Sequence, residues 1–235
     1  MNEDVKDWYD DSYKGLGFKA QRRYPNEELV RFLGKYFFDS YSNHDRKKIK
    51  VLELGCGSCS NLWMVAKEGF DAYGLDLSTE SLKIGKKMLG FWGATANLKQ
   101  GSFLNLPYED DTFDVVYDVF SLNCVDHQDF SLAIDESYRV LKDGGLFFSY
   151  TPSQNSDAFK EFAPAIKIDD STLNGIHRET SPFSGNHYPF HFWNEVEYKK
   201  TLINKDFSVE HIETISRSYN DRHELFEHII VHAKK

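Results

Sequence analysis

Short apolar runs alternate with stretches of helical spacing through the first two thirds of the chain. IKVLELG (49–55) is an apolar run closed by glycine, and SNLWMVAKEG (60–69) carries a helical pattern with Gly69 past its end. FDAYGLDLS (70–78) reads as a second strand and TESLKIGKKMLGFW (79–92) as a second helix. ATANLKQGSF (94–103) and TFDVVYDVFS (112–121) read as the third and fourth strands. DFSLAIDESYRVLKDGG (129–145) reads as a helix stopped by two glycines, and LFFSYTP (146–152) as a fifth strand. Strands separated by helical segments build parallel β–α–β units with right-handed crossovers. The pattern therefore predicts a doubly wound α/β sheet with helices on both faces.

The flanks differ. The first residues are polar and aromatic (Trp8, Tyr9, Tyr13, Phe18, Tyr24). Pro25 then opens NEELVRFLGKYFFDS, with Leu29, Val30, Leu33 and Phe37 at helical spacing. Proline followed by acidic residues fits a helix start, and the helix is expected to end near Asp39. After Pro152, residues 153–193 are polar and are punctuated by Pro182, Gly185 and Pro189, which reads as an insertion. NEVEYKKTLINKD (194–206) is a helix, and FSVEHIETIS (207–216) and FEHIIVHAKK (226–235) are strands. Strands joined by a short loop pair antiparallel, so an edge hairpin is expected. The whole chain, 1–235, reads as one domain.

Composition narrows the partners. The 235 residues hold 28 Lys and Arg against 37 Asp and Glu, a formal charge of −9. Nucleic-acid affinity rests on cations that neutralise phosphates, so this balance argues against a general polyanion binder. Three cysteines are too few for a disulfide-built scaffold. No apolar run approaches the roughly 20 residues of a membrane helix. MNEDVKDWYDD is acidic without an apolar stretch, which predicts no signal peptide. The expectation is a cytoplasmic protein, monomer or homodimer, with a small-molecule substrate and no nucleic-acid or membrane partner.

The informative segment is Val51-Leu52-Glu53-Leu54-Gly55-Cys56-Gly57-Ser58-Cys59-Ser60. A strand runs into a Gly-x-Gly turn, and a helix starts near Asn61. Glycines there permit positive φ and close approach of a ligand to the backbone. Ligands of open α/β sheets bind at the carboxyl ends of strands, where strand order reverses. Asp76 ends the second strand twenty-one residues after Gly55, where an acidic side chain can take both hydroxyls of a ribose. A dinucleotide fingerprint requires a third glycine, and that position is Ser60.

Residues 51–60 instead resemble the first motif of the class I S-adenosylmethionine-dependent methyltransferases. Gly-Leu-Asp-Leu-Ser (74–78), residues 101–108, 113–118 and 138–145 resemble the later motifs of that family, in order and at its spacing. The resemblance implies a Rossmann-like sheet of seven strands with the last antiparallel. It implies S-adenosylmethionine as cofactor, with S-adenosylhomocysteine as product. Glu53 would order the loop and meet the amino group of the cofactor. Gly55, Cys56, Gly57 and Asn61 would surround its methionine part. Asp76 would grip the ribose, with Leu77 beside it, and Ser102 and Phe103 would meet the adenine. Asp118, Val119 and Phe120 would line the sulfonium end. Arg23 would meet the carboxylate from an N-terminal helical lid spanning residues 1–45. The family commonly has Asp where this chain has Ser102, which makes that contact a neutral one.

Cys56-x-x-Cys59 lacks a second pair and reads as small-residue filling of a tight loop, so no metal is expected. His127 follows the fourth strand, and His187 and His191 lie in the insertion, expected to form a substrate lid over 153–193. Each is a candidate general base for a hydroxyl acceptor. The implied activity is methyl transfer to an O or N atom of a metabolite. The alternatives are a nicotinamide-dependent oxidoreductase and a non-catalytic cofactor-binding module.

Overall fold

The computed structural model describes residues 3–19, 21–178 and 185–235; Pro182 lies outside them. Helix α1 (Glu3–Leu16) is followed by α2 (Glu27–Leu33), which continues as a π-helical turn over Gly34–Phe38, and by α3 (Asn43–Arg46). The central units are β1 (Lys50–Leu54), α4 (Leu62–Lys67), β2 (Asp71–Asp76), α5 (Thr79–Trp92) and β3 (Asn97–Gln100). They continue with β4 (Phe113–Val119), α6 (His127–Val140) and β5 (Leu141–Pro152). A small region follows: α7 (Asp157–Lys160), β6 (Ile166–Lys167), β7 (Thr172–Asn174) and β8 (Phe190–His191). The chain closes with α8 (Glu195–Asn204), β9 (Ser208–Tyr219) and β10 (Glu224–Lys234).

Among the described residues, seven strands form one sheet in the order β3-β2-β1-β4-β5-β10-β9. β1 to β5 run parallel, and β10 is antiparallel to both its neighbours. The expected mixed sheet is therefore present. The hairpin sits with its second strand inward, paired to β5 from Lys234↔Leu146 to His228↔Pro152, and β9 forms the edge.

Period-two alternation distributes the core to two faces. Val116, Phe147 and Ile229 pack with α6 and α8 through Phe130, Ile134, Tyr198 and Leu202. Their sequence neighbours Val115, Phe148 and Ile230 pack on the other face with Leu29, Phe32, Val65 and Leu82. Helix starts follow their caps. Asn26 accepts the Glu28 and Leu29 N–H groups, so α2 begins at Glu27 and Pro25 stands outside the cap. Ser78 accepts the Ser81 N–H, and Gly93 closes α5 in the left-handed conformation.

One boundary departs from expectation. α6 ends at Val140, and Leu141 is already extended at φ −73° and ψ 139°. The Gly144–Gly145 pair lies within β5, where the pairing with β4 shifts register between Phe113 and Val115. The glycines accommodate an irregular strand start, with Gly144 at φ 77°, and do not end the helix.

Candidate active site

The carboxyl ends of β1, β2 and β4 meet α1 around a cavity of about 320 Å³. β1 turns at Gly55 and Gly57, both with positive φ (61° and 51°). A Cβ at Gly55 would run into the Ser121 side chain, and one at Gly57 would lie 2.6 Å from Gln21 Oε1 and 2.7 Å from the Tyr13 hydroxyl. The loop is pinned to β2 by the Cys56 N–H donating to the Leu75 carbonyl at 2.9 Å.

Two carboxylates frame the cavity. Asp76 is half-buried and accepts the Gly57 N–H at 2.7 Å and the Ser78 N–H at 2.8 Å. It thus ties the glycine loop to the start of α5. Burial pushes its carboxyl up, and hydrogen bonds from Ser81, Ser78 and Gly57 pull it back. Glu53 is buried; its Oε1 accepts Asn61 Nδ2 at 2.6 Å. Asn61 Oδ1 in turn accepts Arg22 Nη2 at 3.1 Å and the Asn26 N–H at 2.9 Å. Glu53 Oε2 has no hydrogen-bond partner of good geometry, nor has the buried Tyr13 hydroxyl. Burial raises the Glu53 carboxyl to about 8, against the Asn61 and Tyr117 side chains and the Arg22 charge, which lower it.

Most of the loop and strand-end candidates converge. Glu53, Gly55, Cys56, Asn61, Asp76, Leu77, Phe103, Val119 and Phe120 all line the cavity. Gly57 contributes its N–H to Asp76 from behind the wall. Asp118 is fully buried beneath the site: its Oδ1 accepts the Ser121 N–H at 2.8 Å and the Leu122 N–H at 3.0 Å. These bonds fix the turn carrying Phe120, which sits at φ 62°. Ser102 accepts the Leu104 N–H at 3.1 Å and lies off the cavity, with Gly101 and Phe103 on its wall. Arg22 lines the wall where Arg23 was expected; Arg23 is exposed, and its carbonyl accepts Trp63 Nε1 at 3.0 Å.

The three histidines stand elsewhere. His187 and His127 are exposed, and none of the three lines the cavity. His191 is buried, its Nδ1 3.0 Å from Thr172 Oγ1 and its ring among His127, Phe130 and Trp193. Burial lowers it to about 3, so it stays neutral near neutral pH. Residues 185–193 do not line the cavity themselves; they back it through α1, Cys124 and the apolar cluster that includes Phe120. The Tyr188 hydroxyl donates to the Tyr9 hydroxyl at 3.2 Å, and Tyr9 stands 3.4 Å from Cys124 Sγ. Tyr9 and Cys124 line the wall, as do Gln21, Ser60, Ser78 and Ser121. Ser60 and Ser78 lie within the quoted motifs, whereas Tyr9, Gln21, Ser121 and Cys124 carry no motif signal. Cys56 and Cys59 are buried free thiols, and no cluster of three or more His, Cys, Asp or Glu suited to a metal occurs among the described residues.

Comparison with known proteins fits this geometry. The family described as "Methyltransferase domain" matches residues 51–145. Demethylmenaquinone methyltransferase of Anoxybacillus flavithermus is 29% identical over 65% of this chain and 60% of its own. Norajmaline N-methyltransferase of Rauvolfia serpentina is 31% identical over 56% of this chain and 46% of its own. The chain thus spans about half the length of these curated relatives. The fold matches an S-adenosylmethionine-dependent methyltransferase of Methanosarcina mazei with a TM-score of 0.64 at 20% identity, over 79% of this chain and 92% of that one. Residues 51–145 thus match a methyltransferase domain, on a fold shared with a solved S-adenosylmethionine-dependent methyltransferase.

Proposed function

We propose that the protein transfers a methyl group from S-adenosylmethionine to an O or N atom of a small molecule. The observation that carries this reading is the pairing of Glu53 with an unsatisfied oxygen and Asp76 across one glycine-loop cavity. The residues fit the cofactor. Glu53 Oε2 and the Tyr13 hydroxyl are buried without a hydrogen bond of good geometry, which suits a ligand bringing N–H or O–H donors. The positive-φ glycines let the loop pack directly against Ser121, Gln21 and Tyr13, all three of which line the cavity. Arg22 offers a cation to a carboxylate. The relatives support a small-molecule acceptor, since one is named for a quinone precursor and another for an alkaloid.

When bound, the cofactor supplies a methyl group on a cationic sulfur, an electrophile that needs no nucleophile from the protein. In this reading Asp76 holds the ribose hydroxyls and Glu53 the amino group. Val5, Lys6, Tyr9 and Tyr13 of α1 line the cavity, which supports the N-terminal segment as a lid that excludes water. The 153–193 segment supports that lid from outside, through Tyr188 and Gly185 against Tyr9 and Trp8. With His127, His187 and His191 all off the wall, catalysis rests on alignment of acceptor, methyl and sulfur.

S-adenosylmethionine and S-adenosylhomocysteine are expected to raise the melting temperature, and NAD is not. A ligand that binds only the native state stabilises it by mass action. A shift with NAD alone would assign the cavity to a nicotinamide cofactor. An acceptor screen with radiolabelled methyl donor then tests transfer.

Cofactor affinity is also expected to depend on pH. The free Glu53 carboxyl, raised to about 8, is mostly protonated at neutral pH. An ammonium partner favours its ionised form, so binding releases a proton. Affinity should climb by up to about tenfold per unit as pH approaches about 8, then level off. Glu53→Gln should flatten the slope and weaken binding. Calorimetric titration in buffers of different ionisation enthalpy measures the proton; a pH-independent affinity removes Glu53 from this role.

A further inference from the structure

The charge of the chain is unevenly placed. Residues 14–24 contain Lys14, Lys19, Arg22 and Arg23 with no acidic residue, although the chain carries −9 overall. α5 contributes Lys83, Lys86 and Lys87, with no acidic residue from Ser81 to Trp92. All seven are exposed. Two have an acidic neighbour on their own helix, Lys14 with Asp11 at 3.9 Å and Lys83 with Glu80 at 2.7 Å.

Aromatic contacts join the two segments into one surface. The Tyr24 ring meets Trp92 edge-on at 5.6 Å, Trp92 stacks on Trp63 at 4.2 Å, and Phe91 meets Trp92 at 5.2 Å. The Arg23 guanidinium lies over Phe18. Large apolar side chains project from this surface: Phe91 is 72% exposed, Tyr24 64% and Leu16 57%. The patch reaches the cavity mouth, since Arg22 belongs to both.

We propose that this patch docks the protein on an anionic lipid bilayer. Exposed apolar tips ringed by Lys and Arg match the headgroup boundary, where aromatic rings and the aliphatic stems of cations are both accommodated. Basic clusters next to it are attracted by the negative surface potential. A single-stranded nucleic acid is the poorer occupant. It needs a run of open aromatic faces, whereas here Trp63 and Trp92 stack on each other and Leu16 offers no stacking surface. That no described helix is long and apolar enough to cross a membrane does not bear on one-sided docking. The surface stands independently of the methyl-transfer reading, because binding is measured without cofactor.

The test is flotation with phosphatidylcholine vesicles containing about 30% phosphatidylglycerol, against pure phosphatidylcholine. The native chain is expected to float with the anionic vesicles only, less so at high salt. Each Lys near the surface contributes about fivefold, so Lys86→Gln with Lys87→Gln should bind about 25-fold more weakly. Phe91→Ser should lose roughly tenfold or more. Neither variant touches the cavity, and unchanged melting temperatures verify folding. The proposal is overturned if the native chain stays unbound, or if it floats equally with both vesicles. It is also overturned if the variants match the native chain. Binding to oligodeoxythymidylate that shows the variants' defect, without flotation, would assign the patch to nucleic acid and overturn the bilayer.

Discussion

Asp76→Ala is expected to weaken S-adenosylmethionine binding by roughly ten- to hundredfold, the loss for removing a charge-assisted hydrogen bond. The structure enlarges the expectation beyond the ribose. The same carboxylate accepts the Gly57 and Ser78 N–H groups, so its removal also loosens the glycine loop and the start of α5. Asp76→Asn separates the two contributions. It keeps one oxygen for a backbone N–H but loses charge and the second acceptor. If the ribose contact matters, both variants bind poorly while Asn retains more of the stability. Calorimetric affinity and urea denaturation are the measurements. Unchanged affinity in both would leave Asp76 a loop tether only.

Asp118→Ala should be the larger change in stability. It strands the Ser121 and Leu122 N–H groups beneath the site, at about 1–3 kcal/mol for each buried donor left unpaired. A loss of about 2–5 kcal/mol is expected in urea, with weaker cofactor binding because Phe120 is no longer held at the cavity wall. Asp118→Asn supplies the same acceptor without charge. Burial raises the Asp118 carboxyl to about 7, above its unfolded value. Its stabilising contribution is therefore fully present below the unfolded value near 4 and is lost as pH rises through about 7. The Asn variant should gain on the native protein across that window. A constant difference between them at all pH values would refute the assigned burial of the charge.

Much of this was legible because local and global signals coincide. α5 carries a capping serine, an apolar stripe and a closing left-handed glycine, and the predicted bounds Thr79–Trp92 are the observed ones. The glycine loop and Asp76 were readable because positive φ and a strand-end carboxylate have few other causes. Leu141 was not, since a helix that passes into a strand without a loop leaves no punctuation, and Gly144–Gly145 imitated a helix stop. Arg22 and Arg23 are adjacent and chemically equal in sequence; only the path of the chain after α1 turns the first toward Asn61. The histidines were drawn to the site by chemistry, whereas His191 is held by Thr172 and a ring cluster. The strands β6 to β8 are two or three residues long, too short for alternation to register.

The inward place of β10 also governs how the molecule can be made. Synthesis delivers β5 long before Glu224–Lys234, yet β4 covers only one edge of β5 and the other pairs with β10. β9 likewise pairs with β10 alone. Until Glu224–Lys234 emerge from the ribosome, the nascent chain carries an open, apolar strand edge at Leu146–Pro152. Such an edge is a template for pairing with other chains, so the interval between synthesis of β5 and of β10 is when this protein most needs a chaperone.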